Sequence, residues 1–238
     1  LKVKRKGFVE EKGFSPADCD EDGVPLTWTR GHGSQLFDKA DNGYTDYCLS
    51  SGVMIFGHAQ QNIVLAVKRS AEKGINFTHP PKIQQTLARL LSLAIPSLEG
   101  VHFVLSISEA LNVAVRLAQS LTGRTQVVTF EGCGCETVAA GELTTLPFND
   151  VSRAEEFLCE HAGQVACVLV EPVATHMGVV PAQREFLAAL RSLTEKYQIV
   201  LIFNEEHSGF RGASASVQKE LGIAPDLTCV GGILSAGF

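Results

Sequence analysis

From His102 onward the chain alternates short apolar runs with amphipathic stretches of helical period, and that alternation leaves few folds open. The apolar runs cover 102–105, 126–130, 166–170, 199–203 and 227–230; between them, helical spacing begins at Glu109 and recurs over 154–159 and 184–197. The runs are continuously apolar instead of alternating apolar with polar, so strands built from them must be buried on both faces. A mostly parallel sheet with flanking helices does this, which makes the fold class α/β. In such sheets ligands gather where the C-terminal ends of the strands meet the loops that follow.

Upstream, Ile63, Ala66, Val67 and Ala71 repeat at helical spacing within 62–73, and Leu87, Leu90, Leu91 and Ala94 do so within 83–94, predicting two further helices. Residues up to about Tyr47 are rich in Gly and Asp and read as an extended arm, with a small hairpin at Asp41-Asn42-Gly43. The division expected is an arm and small-domain segment over 1–57, followed by a large α/β domain over 58–238.

At 238 residues and 45% hydrophobic content the chain has ample material for a core. The net charge is −6, and the one basic cluster, Lys2, Lys4, Arg5 and Lys6, is short and terminal, which argues against a nucleic-acid or membrane-surface binder. No apolar run approaches the roughly 18 residues a membrane span needs. Seven cysteines, an odd number, fit reduced thiols and a cytoplasmic location better than a disulfide framework. The first residue is Leu1, with no secretory pattern after it; a fragment or a processed product is the expectation.

Each strand end offers chemistry. Ser106-Ile107-Ser108-Glu109 opens a helix, where hydroxyls and N–H groups can hold a phosphate; Ser106 and Glu109 equally make a capping box, and both can hold at once. Glu131-Gly132-Cys133-Gly134-Cys135 suggests metal or redox chemistry, but zinc sites use wider spacing and four ligands, so small residues filling a tight turn is the plainer reading. Glu171 could serve as acid, base or acceptor. Asn204-Glu205-Glu206-His207 can perform acid/base work or stand solvated. His32, His58, His79, His102, His161 and His176 show no ligand spacing and read as surface or capping groups.

Several strings resemble the class III pyridoxal-phosphate-dependent aminotransferases, and within them the aminomutase branch. They are Gly57-His58-Ala59, Glu131-Gly132-Cys133, the stretch 170–181 with its Glu-Pro-Val and Met-Gly-Val-Val-Pro, 201–203 with Glu205, Gly209-Phe210-Arg211, and Pro225-Asp226-Leu227-Thr228. They occur in family order over most of the chain. The resemblance implies fold type I architecture, pyridoxal phosphate as cofactor, and a dimer with active sites at the subunit interface.

Carried across residue by residue, the resemblance meets departures. The family's Schiff-base lysine falls at Gly232, so no internal aldimine can form. The Asp that pairs with the pyridinium nitrogen is Asn204, beside a retained Glu205. The aromatic-His pair that stacks on the ring is Gly134-Cys135, the Val on the opposite face is Glu206, and the Gly of the phosphate cup is Ile107, between the retained Ser106 and Ser108. The segment between Cys133 and Leu146 is much shorter than in the aminomutase branch, whose mobile lid it would carry. The family also continues well beyond the lysine loop.

The reading that follows is a family member lacking conventional cofactor catalysis, a non-catalytic homologue or partner subunit. It would act as a homodimer or in a hetero-oligomer with a related subunit, and bind pyridoxal phosphate weakly at best. Two alternatives stand beside it. One is a working aminotransferase or aminomutase on a small amino acid or amino-aldehyde; the other is a different enzyme reusing the cleft through Cys133, Cys135, Glu205, Glu206 and His207.

Overall fold

The computed structural model describes residues 26–95, 97–135, 138, 142–212 and 214–237. The basic cluster at 2–6, the arm through residue 25, and Phe238 lie outside the described residues. The chain forms two compact units, one through Lys73 and one from Gly74.

In the first unit, β1 (Arg30–His32), β2 (Gln35–Phe37) and β3 (Gly43–Thr45) form an antiparallel meander. The hairpin expected at Asp41-Asn42-Gly43 is there. Asp38 builds its turn, with Oδ1 accepting from the N–H groups of Ala40 at 2.8 Å and Asn42 at 2.9 Å, the local bonding that suits Asp to turns. A single turn, α1 (Leu49–Gly52), precedes α2 (Gln61–Ala71), whose start is capped by Gln60 Oε1 accepting from Ile63 N–H at 2.9 Å. His58 Nε2 lies 2.7 Å from Asp46 Oδ2, and the backbones of Gly33 and His58 bridge antiparallel.

The second unit is organised by β6 (Val165–Val170), all six residues of which are buried. It is the middle strand of a five-stranded sheet in the order β10-β9-β6-β4-β5, with β4 (Gln126–Phe130), β5 (Glu142–Leu146), β9 (Val200–Asn204) and β10 (Leu227–Cys229). Every pairing in it is parallel. Burial of β6 on both faces requires cover on both. This comes from α4 (Ile107–Thr122), which packs on β6, β9 and β10, and from α5 (Val151–His161) and α6 (Arg184–Tyr197), which pack on each other, α6 also touching β6 and β9. Phe186 of α6 meets Phe130 edge-on at 5.0 Å and Phe148 at 5.5 Å, inside the range for favourable aromatic pairs. At the opposite end of the strands, Arg124 Nη1 donates to the carbonyls of Val165, Tyr197 and Gln198 at 3.1–3.2 Å. The remaining elements are α3 (Lys82–Ala94), α7 (Val217–Leu221) and a two-strand ribbon of β7 (Val173–Ala174) and β8 (Val180–Pro181).

Three readings of the sequence need correction. The run 102–105 is not a strand: among the described residues it joins no sheet, and an apolar run becomes a strand only where a neighbour completes its hydrogen bonds. The helix expected from Glu109 begins at Ile107. Glu142–Leu146 is a strand that the pattern did not reveal, because it is a largely exposed edge with two threonines, paired in register with β4.

Asp46 supplies a test of the first unit. Burial pushes its carboxyl up, but hydrogen bonds from His58 and from the N–H groups of Leu49 and Cys48 outweigh that and hold it below the ordinary 3.8. A carboxyl depressed on folding contributes stability above its unfolded pKa, and this is lost as pH falls through the folded value. Asp46 is therefore expected to titrate below 3.8 by NMR, with the 46–58 loop loosening only beneath that pH; a midpoint at or above 3.8 would count against this bonding.

Candidate functional site

Four loops leave the C-terminal ends of β4, β6, β9 and β10, and a buried carboxylate ties the first three together. Glu171, which directly follows β6, is 2% exposed. Its Oε1 accepts from Gly134 N–H and Asn204 Nδ2, each at 3.2 Å, and its Oε2 accepts from Thr175 N–H at 3.1 Å and Thr175 Oγ1 at 3.0 Å. Four donors stand in for the water and the cation that a buried carboxylate otherwise needs. Asn204 in turn accepts from Glu206 N–H through Oδ1 at 3.2 Å.

Glu205 does a different job. It is fully buried, with Oε1 accepting from Ser216 Oγ at 2.6 Å and Gln218 Nε2 at 2.8 Å, and Oε2 from Val217 N–H at 3.0 Å. It anchors the start of α7 inside the fold and takes no part in the cleft.

The cleft lies between the start of α4 and the end of β10, a space of about 1070 Å³. Of the residues expected to form the site, Ser106, Ile107, Glu206 and Gly232 line it. Gly134, Cys135 and Asn204 stand on the Glu171 side instead, and Ser108 sits in the first turn of α4, its carbonyl accepting from Asn112 Nδ2 at 2.7 Å. Ser106 is the N-cap, Oγ accepting from Glu109 N–H at 3.1 Å. Glu109 Oε2 accepts from Leu105 N–H at 2.9 Å, one residue earlier than the capping box expected from the spacing.

These surroundings do not fit pyridoxal phosphate. Gly232 offers no amine, and among the described residues no Lys or Arg lines the cleft, whose ionisable carboxyls are Glu99, Glu206 and Asp226. A phosphate at the start of α4 would find the Glu109 N–H already donated to Ser106 Oγ, and the Glu109 carboxylate nearby. The Ile107 side chain is turned toward Gly231, its Cδ1 3.6 Å from where a Cβ there would stand. Gly232 has φ +52°, a left-handed backbone that suits glycine and strains a lysine.

Cys133 and Cys135 are buried, and burial pushes both thiols up to about 12, as it does those of Cys167 and Cys229. Thiolate, the reactive form, is therefore negligible at neutral pH. Among the described residues no group of three His, Cys, Asp or Glu is arranged to hold a metal ion. His207 Nε2 lies 3.8 Å from Glu206 Oε2.

The residue that sequence reasoning missed is His176. Its N–H donates to Gly132 O at 3.1 Å, and its ring lies 6.1 Å from that of His207, edge-on. A Cβ on Gly134 would stand 2.8 Å from His176 Nδ1 and 3.3 Å from Glu171 Oε1. The ring thus occupies the space beside Gly134 where an aromatic side chain would project. The signal available was the pair of glycines, Gly132 and Gly134, facing a turn whose partner could not be located from spacing alone.

A parallel sheet covered on both faces, with loops at its C-terminal ends framing a cleft beside a helix start, is the large-domain architecture of fold type I pyridoxal-phosphate-dependent transferases. The family model for aminotransferase class-III matches residues 17–135 and 137–238, and the chain belongs to that family. It is 41% identical over 243 aligned residues to the glutamate-1-semialdehyde 2,1-aminomutase of Aquifex aeolicus, which covers 91% of this chain and 57% of that protein. An omega-transaminase from Sphaerobacter thermophilus superposes with a TM-score of 0.85 at 30% identity, over 95% of this chain and 58% of its own. A lysine-to-alanine variant of a glutamate-1-semialdehyde aminomutase from Pseudomonas aeruginosa, solved in complex with PMP, gives 0.77 at 26% identity, over 90% and 52%. The chain thus spans a little over half the length of the relatives it matches.

Two outcomes follow from this geometry. Gly134→Tyr alone is expected to lower stability by about 1–3 kcal/mol, as overpacking does. His176→Ala in the same chain should recover most of that, giving a non-additive cycle in urea unfolding; additive losses would mean that the ring does not hold the space. With a thiol reagent at pH 8, the exposed Cys48 and Cys159 should label quickly while Cys133, Cys135, Cys167 and Cys229 label only on unfolding, as mass spectrometry of the digested protein can read.

Proposed function

We propose that this chain is a non-catalytic member of the class III aminotransferase family, which keeps the fold to bind another polypeptide, a second copy or a related subunit, and holds no pyridoxal phosphate as a Schiff base. The observation that carries this is that, among the described residues, no lysine lines the cleft, and the resemblance sets Gly232 where the family's lysine is expected. The surface supports the partnering half of the proposal. Val113, Leu117 and Leu121 of α4 recur every fourth residue and are 39%, 43% and 70% exposed, and Leu90 and Leu93 of α3 are 54% and 70% exposed. Apolar groups in such array mark interaction surfaces.

The aminomutase variant in complex with PMP is evidence that a related fold can carry a cofactor without one of its lysines. In this chain the carboxylates of the cleft and the engagement of Glu109 N–H by Ser106 Oγ weaken any comparable phosphate binding. A working aminotransferase remains the second reading, favoured by the family match itself. The cleft-reusing enzyme has less support, since Glu205 is consumed by α7 and both cysteines are buried.

The test is the visible absorption of the purified protein with pyridoxal phosphate, before and after borohydride, with peptide mapping of any reduced adduct. The parent chain is expected to give no stoichiometric adduct in the cleft, while Gly232→Lys gains one at that position. Stoichiometric labelling of the parent at a single lysine would overturn the proposal.

A further inference from the structure

Two histidines that spacing along the chain leaves unrelated come together beyond the C-terminal ends of β6 and β9. His176 lies in the one-turn helix Thr175–Met177 and His207 in the loop after β9. Their ring centres are 6.1 Å apart, with 61° between the ring planes. His176 is exposed and the His207 side chain is 24% exposed, so a small ion in solution reaches both.

The hydrogen-bond network fixes which nitrogen of His176 is available. Thr175 Oγ1 carries a single proton and gives it to the Glu171 carboxylate at 3.0 Å. Its 3.3 Å contact with His176 Nδ1 is therefore Nδ1–H donating to the hydroxyl oxygen, and in the neutral ring Nε2 keeps its lone pair. An imidazole whose far N–H is held in this way, by a group that is itself tied to a carboxylate, is set up as a metal ligand. On the other side, Arg211 Nε donates to His207 O at 2.5 Å, which fastens the loop. His207 Nε2 has Glu206 Oε2 at 3.8 Å, beyond hydrogen-bond length but close enough to add negative charge beside a cation.

With zinc–nitrogen bonds of about 2.0–2.1 Å, two imidazoles sharing one ion hold their ring centres roughly 5–6.5 Å apart. The observed 6.1 Å lies in that range. We infer that His176 and His207 are the protein ligands of one divalent transition-metal ion of the zinc class, with Glu206 supplying compensating charge and Thr175 acting as a positioning residue through His176 Nδ1. Imidazole nitrogen selects zinc, nickel and copper over magnesium and calcium, which take oxygen ligands. Among the described residues no group of three ligands closes around an ion, so water completes the coordination and the site is open. This goes beyond the non-catalytic reading and does not depend on it.

The experiment uses the 238-residue chain without added cofactor, its exposed thiols alkylated so that cysteine does not compete for the ion. Zn2+ is titrated against a chromophoric chelator in the presence of excess Mg2+, and long-range proton–nitrogen NMR of the imidazole rings reads the state of each ring nitrogen. One Zn2+ is expected to bind despite the Mg2+. Without metal, His176 should show the Nδ1–H tautomer; with Zn2+, the Nε2 signals of His176 and His207 should shift together. His176→Gln and His207→Gln should each weaken binding at least tenfold, and the double variant little further, because either change alone breaks a shared site. His79→Ala, at an exposed histidine elsewhere, should change nothing. Thr175→Val should weaken binding about tenfold and remove the tautomer preference of His176, which a merely structural threonine would leave in place.

No binding short of millimolar Zn2+, binding that survives both single variants, or ligation through His176 Nδ1 would overturn the inference. So would losses that add in the double variant, which would mean two separate surface histidines. The spectra of the parent chain decide the tautomer and the ligating nitrogens even where a variant folds poorly. A lysine adduct with pyridoxal phosphate, the sign that the non-catalytic reading fails, is a separate measurement and leaves the metal result standing.

Discussion

The site depends on one buried carboxylate. Glu171 stands at the end of the central strand and reaches the loop after β4 through Gly134 N–H, the end of β9 through Asn204, and the turn after β7 through Thr175. Removing it would leave four donors facing a dry interior, each at the cost of an unmet hydrogen bond. The relative placement of three strand ends follows from that single side chain. What each loop can then present to the cleft is set by what Glu171 has already claimed.

The residues around Glu171 are linked through it. Asn204 is the neutral partner that Glu171 can accept from; an Asp there would bring two carboxylates within about 3.2 Å, where like charges disfavour each other strongly. Gly134 leaves room for His176, and the His176 turn is itself tied to Glu171 through Thr175. After β10, Gly232 has a left-handed backbone and the Ile107 side chain is turned toward Gly231. Altered residues fit one another locally, so reinstating one cofactor contact alone would set it against its present neighbours.

Much of the fold was legible beforehand. The run 166–170 could be read as a strand buried on both faces because nothing in it tolerates water, and α6 could be read end to end from its periodicity, Arg184–Tyr197. The edge strand Glu142–Leu146 was not legible, since a strand exposed on one side loses its apolar signature. The run 102–105 misled for the opposite reason: it has the composition of a strand and, among the described residues, no neighbouring strand. Of the cleft residues, Glu206 was legible because it follows a strand end and Ser106 because it opens a helix, while Ile107 and Gly232 were named only through the family resemblance. Glu205 could not be separated from Glu206 by pattern, as adjacent residues leave a strand on opposite sides and only packing decides which side is interior.

The amino-acid sequence alone therefore determined the α/β class and the order of the principal elements, because periodicity and apolar runs are local properties. Tertiary structure alone decided that Glu171 is a hub, that Glu205 faces inward, that His176 fills the space beside Gly134, and that the rings of His176 and His207 stand near each other. Each of these is a contact between residues distant along the chain. Spacing in one dimension carries no record of which loops a folded sheet brings side by side.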